Sequence, residues 1–149
     1  MSCQHFRENH PSCTECNRNP ILNASEKKSK YTLNNPQRRE VCKIKVDSCV
    51  TTSVEENKCD YLVISCETST AFFIELKGSD LLHAIDQVDK SIDRLSANLV
   101  GFALNARIVL TRVQTPDIRT PKYKKFHQKI RQLGGTFEHK NLVLVETLR

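Results

Sequence analysis

Residues 58–90, KCDYLVISCETSTAFFIELKGSDLLHAIDQVDK, place ionisable side chains where a sheet-forming sequence should be apolar, and this constrains the fold more than any other stretch. The runs YLVI (61–64) and AFFI (71–74) read as two strands joined by the polar segment 65–70, a hairpin. A strand alternates with period two, so Phe73, Glu75 and Lys77 take one face while Phe72, Ile74 and Leu76 take the other. Antiparallel pairing of the two runs brings Asp60, just before the first, next to Glu75, at the end of the second. Two carboxylates and a lysine therefore converge on one strand end.

Carboxylates held that close repel each other, and a hard divalent cation is the natural compensator. Mg²⁺ takes one or two protein carboxylates, keeps several waters and accepts substrate phosphate oxygens at its remaining positions, which suits phosphate-ester hydrolysis. Asp60 followed by Glu75-Leu76-Lys77 at a strand end and then a helix resembles the PD-(D/E)xK nuclease superfamily, with its restriction-endonuclease-like fold. The resemblance covers roughly residues 41–113, and Cys59 stands where the motif has proline. It implies that Asp60 and Glu75 hold Mg²⁺ or Mn²⁺, with the backbone carbonyl of Leu76 as a further ligand. It also implies that Lys77 orients or deprotonates the attacking water. Gln87 loosely matches the helix glutamine that several families of this fold place near the metal, although Ser91 occupies the position of the accompanying tyrosine. The implied substrate is a nucleic-acid phosphodiester, DNA ahead of RNA, cut to leave a 5′-phosphate in restriction, repair or defence.

After Lys77, Gly78 permits a sharp exit, and Ser79 or Asp80 can cap a helix whose apolar stripe is Leu81, Leu82, Ile85, Val88, Ile92 and Leu95. A further strand is expected at 106–113; strand, helix, strand order makes it parallel to the preceding one. Pro116 and Pro121 break the chain before a second amphipathic helix from Lys122, ended by Gly134-Gly135. A last strand is expected at 142–145, and VCKIKV (41–46) reads as a half-exposed strand with Lys43 and Lys45 on its outer face. The expected fold is α/β: a mixed central sheet flanked by helices, with a restriction-endonuclease-like core over 38–149 and an irregular N-terminal arm over 1–37.

The formal net charge is +6, with an acidic centre and a basic C-terminal third, a pattern suited to holding a metal in the middle and a polyanion beside it. The expected nucleic-acid contacts are Lys122, Lys124, Lys125, Lys129 and Arg131 on the second helix. Seven cysteines form an odd set without a signal-peptide-like start, which argues for reduced thiols and a cytoplasmic protein. Cys42, Cys49, Cys59 and Cys66 then read as small buried hydrophobes. In the arm, Cys13-Thr-Glu-Cys16 has zinc-ligand spacing, and Cys3 with His10 or His5 could complete a structural Zn²⁺ site. No run reaches the roughly 18 apolar residues of a membrane span. The expected partner is nucleic acid, with a homodimer or a larger complex as the expected assembly. Rival readings are a non-catalytic nucleic-acid-binding module and an inactive nuclease-fold subunit of a complex.

Overall fold

The computed structural model describes residues 2–52, 57–76, 78–112 and 118–149. In chain order the elements are α1 (Ser2–Asn9), a 3₁₀ turn (Pro11–Cys13), β1 (Thr14–Asn17), β2 (Ile21–Glu26), β3 (Ser29–Asn34), β4 (Val41–Lys45), β5 (Tyr61–Ser65), β6 (Thr70–Glu75), α2 (Leu81–Leu95), β7 (Ala103–Leu110), α3 (Pro121–Gln132), β8 (Phe137–Asn141) and β9 (Val143–Thr147). A six-stranded mixed sheet runs β1-β4-β5-β6-β7-β8, and a three-stranded sheet runs β2-β3-β9. The predicted hairpin is β5–β6, with Tyr61 opposite Ile74 and Ser65 opposite Thr70. Helix α2 carries the chain across to β7, which pairs parallel with β6 as expected.

Strand alternation sorts the two cores. Leu62, Ile64, Ala71, Phe73, Leu104, Ala106 and Ile108 face the helices, packing against Leu81, Ile85, Val88 and Ile92 of α2 and Phe126 and Ile130 of α3. Val63, Phe72, Ile74, Leu76 and Val109 face the small sheet, against Leu22, Ala24, Tyr31, Leu33 and Leu144. The helices thus share one face of the large sheet, and the small sheet covers part of the other. The caps are local: the Asp80 carboxylate accepts from the N–H groups of Leu82 and His83, and Thr120 accepts from Tyr123 N–H with Pro121 following. At the far end of α3, a Cβ on Gly135 would lie 2.0 Å from the Leu104 carbonyl oxygen, so only glycine lets the chain pass β7 there.

The N-terminal region corrects the expectation of an irregular arm. It forms α1 and three strands: β1 extends the large sheet antiparallel to β4, and β2–β3 build the second layer. The cysteines fix it covalently, in place of the reduced thiols expected. Cys3 on α1 bonds Cys66 in the β5–β6 turn, Cys13 bonds Cys49 in the turn after β4, and Cys16 bonds its register partner Cys42 across β1 and β4. Their Cα separations are 6.3, 5.8 and 4.0 Å. The zinc set of Cys3, His10, Cys13 and Cys16 is therefore not assembled, because each sulfur is used by a different cysteine partner. His10 instead packs by Phe6 and His5. Cys59 alone is free and buried. The last stretch also divides differently from the single expected strand: β8 is the edge of the large sheet, while β9 pairs parallel with β3 in the small one.

A buried ion network joins the two layers. Arg107, on the small-sheet face of β7, donates through Nε and Nη2 to the two Glu146 carboxylate oxygens of β9, at 2.8 and 3.1 Å. Its other nitrogen reaches the Thr136 carbonyl at 2.7 Å, and the Tyr31 hydroxyl donates to Glu146 at 2.7 Å. Burial first, and the Glu146 carboxylate second, hold the Tyr31 phenol well above its ordinary pKa, so it remains a donor. Removing Glu146 leaves the buried Arg107 with only the half-exposed Glu138 carboxylate, at 3.3 Å, as counter-charge, at a cost of about 3 kcal/mol. Glu146→Leu is expected to lower the melting temperature by roughly 6–12 °C, and Arg107→Met combined with Glu146→Leu to recover most of the loss, because the apolar pair leaves no charge behind. Thermal denaturation followed by circular dichroism checks both; a single variant that melts like wild type would remove the network from the account of stability.

Candidate active site

The strand end foreseen at Asp60 and Glu75 is built as two register neighbours. Because Tyr61 pairs with Ile74, Asp60 falls opposite Glu75, and the Asp60 N–H donates to the Ile74 carbonyl at 3.0 Å. Both carboxylates take the helix-side face, and both residues are about 1% exposed. Asp60 is held on three sides: its carbonyl accepts from Val46 N–H at 3.0 Å, and its Oδ2 accepts from the Leu76 N–H at 2.8 Å. That contact fixes the backbone immediately after Glu75. Lys77, the third member of the expected unit, lies outside the described residues.

Helix α2 grips the approach to Asp60 through one stripe. Gln87 Nε2 donates to Glu75 Oε2 at 3.3 Å while its Oε1 accepts from the Lys58 N–H at 3.2 Å. Ser91, one turn on, accepts from the buried Cys59 N–H at 2.8 Å, and Arg94, a further turn on, donates to the Asn57 carbonyl. Gln87 is thus brought within hydrogen-bond reach of Glu75. Ser91 and Arg94 were not foreseen as part of the site; Ser91 follows Gln87 by four residues and Arg94 follows Ser91 by three, along one helix flank. Ser91→Ala leaves the Cys59 N–H without its acceptor and is expected to cost about 1–3 kcal/mol, read as a lower melting temperature. A variant as stable as wild type would show that the contact does not hold the strand entry.

The surrounding electrostatics narrow the chemistry. Burial, reinforced by the neighbouring Glu75 and Asp60 carboxylates, pushes the Cys59 thiol up to about 12, so it stays protonated at neutral pH. Of the other acids, Asp47 near this end pairs with Lys58 at 3.8 Å, while Glu40 lies at the opposite end of β4 and pairs with Arg7. Among the described residues no group of three or more His, Cys, Asp or Glu side chains is placed to hold a metal. Two buried carboxylates with a backbone carbonyl nonetheless fit the sparse protein ligation of Mg²⁺, which leaves most positions to water and phosphate.

The basic helix is divided in two by its neighbour. Lys122 pairs with Asp86 at 2.8 Å, and Lys129 lies between Asp89 and Asp93 of α2. These two lysines are neutralised within the fold and are poorly suited to the phosphate contacts expected of them. Lys124, Lys125 and Arg131 are exposed and make no ion pair among the described residues. The three comparisons made, with protein-family models, curated proteins and solved structures, find no match to this chain. None of the helices among the described residues is long and apolar enough to cross a membrane.

Proposed function

We propose that this chain is a divalent-metal-dependent nuclease with a restriction-endonuclease-like core, acting on DNA in preference to RNA. The observation that carries the reading is the buried cross-strand pair Asp60 and Glu75, set where the antiparallel strands β4, β5 and β6 end and a helix leads to parallel β7. A buried pair of acids is costly for a fold with no use for it, and a metal site is the use that this geometry fits.

Asp60, Glu75 and the Leu76 carbonyl would hold Mg²⁺ or Mn²⁺, which supplies Lewis acidity toward a phosphoryl oxygen when bound. Gln87 fixes the Glu75 carboxylate and, through the Lys58 N–H, the strand that delivers Asp60. Lys77 is assigned to orienting the attacking water and offsetting negative charge that grows in the transition state. The disulfides support work in an oxidising compartment over the reducing cytoplasm first expected, since six of the seven cysteines are bonded.

Purified protein with its disulfides intact, incubated with single- and double-stranded DNA and RNA, is expected to cleave in Mg²⁺ or Mn²⁺ and to be inert in EDTA. A folded protein that cleaves none of the four with either metal would overturn the reading.

A further inference from the structure

Resting on the nuclease reading, we infer that a trough along β1 and β4, on the face of the large sheet opposite the carboxylates, is a second polynucleotide-binding surface. The small sheet covers the large one over β5 to β7 and meets β4 at Val41 and Lys43. There the large sheet's outer face turns from apolar to polar: Val41 is buried, but the next two outward positions of β4 are Lys43 and Lys45.

Two depressions meet on this face. One, of about 220 Å³, is bounded by Ser12, Thr14, Lys45 and Tyr61; the other, of about 80 Å³, by Asn17, Asn19 and Asn23. Both are floored by Glu15 and Lys43, register partners on β1 and β4. They form one trough between the two sheet edges. It follows β1 for roughly 10 Å, enough for about three nucleotides at the duplex rise of ~3.4 Å per strand. Its end at Tyr61 lies on the small-sheet face, opposite the helix-side face that Asp60 and Glu75 take at the same strand end.

The chemistry of the walls suits a sugar-phosphate chain. Lys43 Nζ donates to the Asn23 carbonyl at 3.0 Å and stands 5.6 Å from the centre of the Tyr61 ring, so the cation is held in place beside a partly exposed aromatic face. Several cations elsewhere are spent internally: Arg7 on Glu40, Arg18 on Glu67, Lys122 and Lys129 on α2. Lys43 and Lys45 make no ion pair among the described residues, Glu15 included. Two positioned cations, three asparagine amides and a tyrosine ring recognise phosphate, base edges and a base face respectively. The single carboxylate, Glu15, is matched to amino groups of bases rather than to phosphate.

The test measures binding of a fluorescein-labelled single strand and the matching duplex to the full, oxidised chain in EDTA, over a series of salt concentrations, with cleavage in Mn²⁺ measured in parallel. Lys43→Gln with Lys45→Gln is expected to weaken binding at least tenfold and to flatten the plot of log K against log salt by about two units. Lys45→Gln alone, which leaves the Asn23 contact intact, is expected to flatten it by about one. Lys28→Gln with Lys90→Gln, the same charge change at exposed positions away from the trough, is expected to keep the wild-type slope. Equal slopes for the trough and control variants, or no binding by wild type, would overturn the inference. Binding that behaves as expected without any cleavage would leave the trough standing and sink the nuclease reading instead.

Discussion

Reduction of the three disulfides is expected to lower the melting temperature by more than about 15 °C and to release the segment from α1 to β1 from the sheet. The bonded cysteines are separated by 63, 36 and 26 residues. Closing loops of that size removes about 3–4 kcal/mol each from the denatured chain's entropy, less where the loops overlap as they do here. The native side points the same way. Residues 2–17 contribute only Cys3 and Phe6 as fully buried apolar side chains, too little to hold α1 and β1 in place against their ordering entropy. Thermal denaturation with and without a reductant checks this, and thiol titration of denatured, unreduced protein should find one thiol, that of Cys59. An unchanged melting temperature with reductant, or titration of all the cysteines, would contradict the covalent account.

The second large effect is expected at the carboxylate pair. Asp60→Asn and Glu75→Gln keep the size and much of the hydrogen bonding of the originals while removing the charge that would hold the cation. Each should reduce cleavage by more than about a thousandfold, and combining them should cost little more than either alone, because groups that act as a unit lose their effect together. Lys77→Ala should also cut turnover steeply but leave metal binding largely intact, since its assigned work is on water and developing charge. Metal binding has its own readout. At a concentration a hundred times its dissociation constant, a cation bound only to the folded state adds about 2.7 kcal/mol, or roughly 5–10 °C. Mn²⁺ should raise the melting temperature of wild type and Lys77→Ala by that order, and of neither acid variant. Equal stabilisation of Glu75→Gln and wild type would place the cation elsewhere.

The parts of this molecule that were legible in the sequence are those where one physical signal dominates. Period-two alternation around Glu75 gave the hairpin and both faces of β6, and the stripe from Leu81 to Leu95 with its Asp80 cap gave α2. The small sheet escaped because its outward positions, Asn23, Ser25, Lys30 and Thr32, have a linker's composition. Its inward positions, Leu22, Ala24, Tyr31 and Leu33, carry the alternation that could have revealed it. Its turn is Lys27-Lys28, without the Asn-Gly or Gly signature of a short hairpin, although Lys27 takes a positive φ of 52°. Strand β8, FEHKN, is an edge with Phe137 its one fully buried residue, so no alternation marks it. The cysteines misled for a different reason. The spacing of Cys13 and Cys16 is local and suggests a metal, whereas their partners Cys49 and Cys42 lie far along the chain, where spacing carries no information on pairing. Within the site, the two acids were legible as chemistry out of place, while Ser91 and Arg94, ordinary helix residues, acquire a role only once the 57–59 backbone is seen against α2.

Cleavage of a labelled DNA duplex by oxidised wild type and Glu75→Gln, in Mn²⁺ and in EDTA, is the most direct measurement of whether the Asp60–Glu75 strand end is a hydrolytic centre. Metal-dependent cleavage by wild type, lost in a Glu75→Gln protein that keeps its circular dichroism spectrum and its three disulfides, is the predicted result. Cleavage by folded Glu75→Gln at the wild-type rate would contradict it.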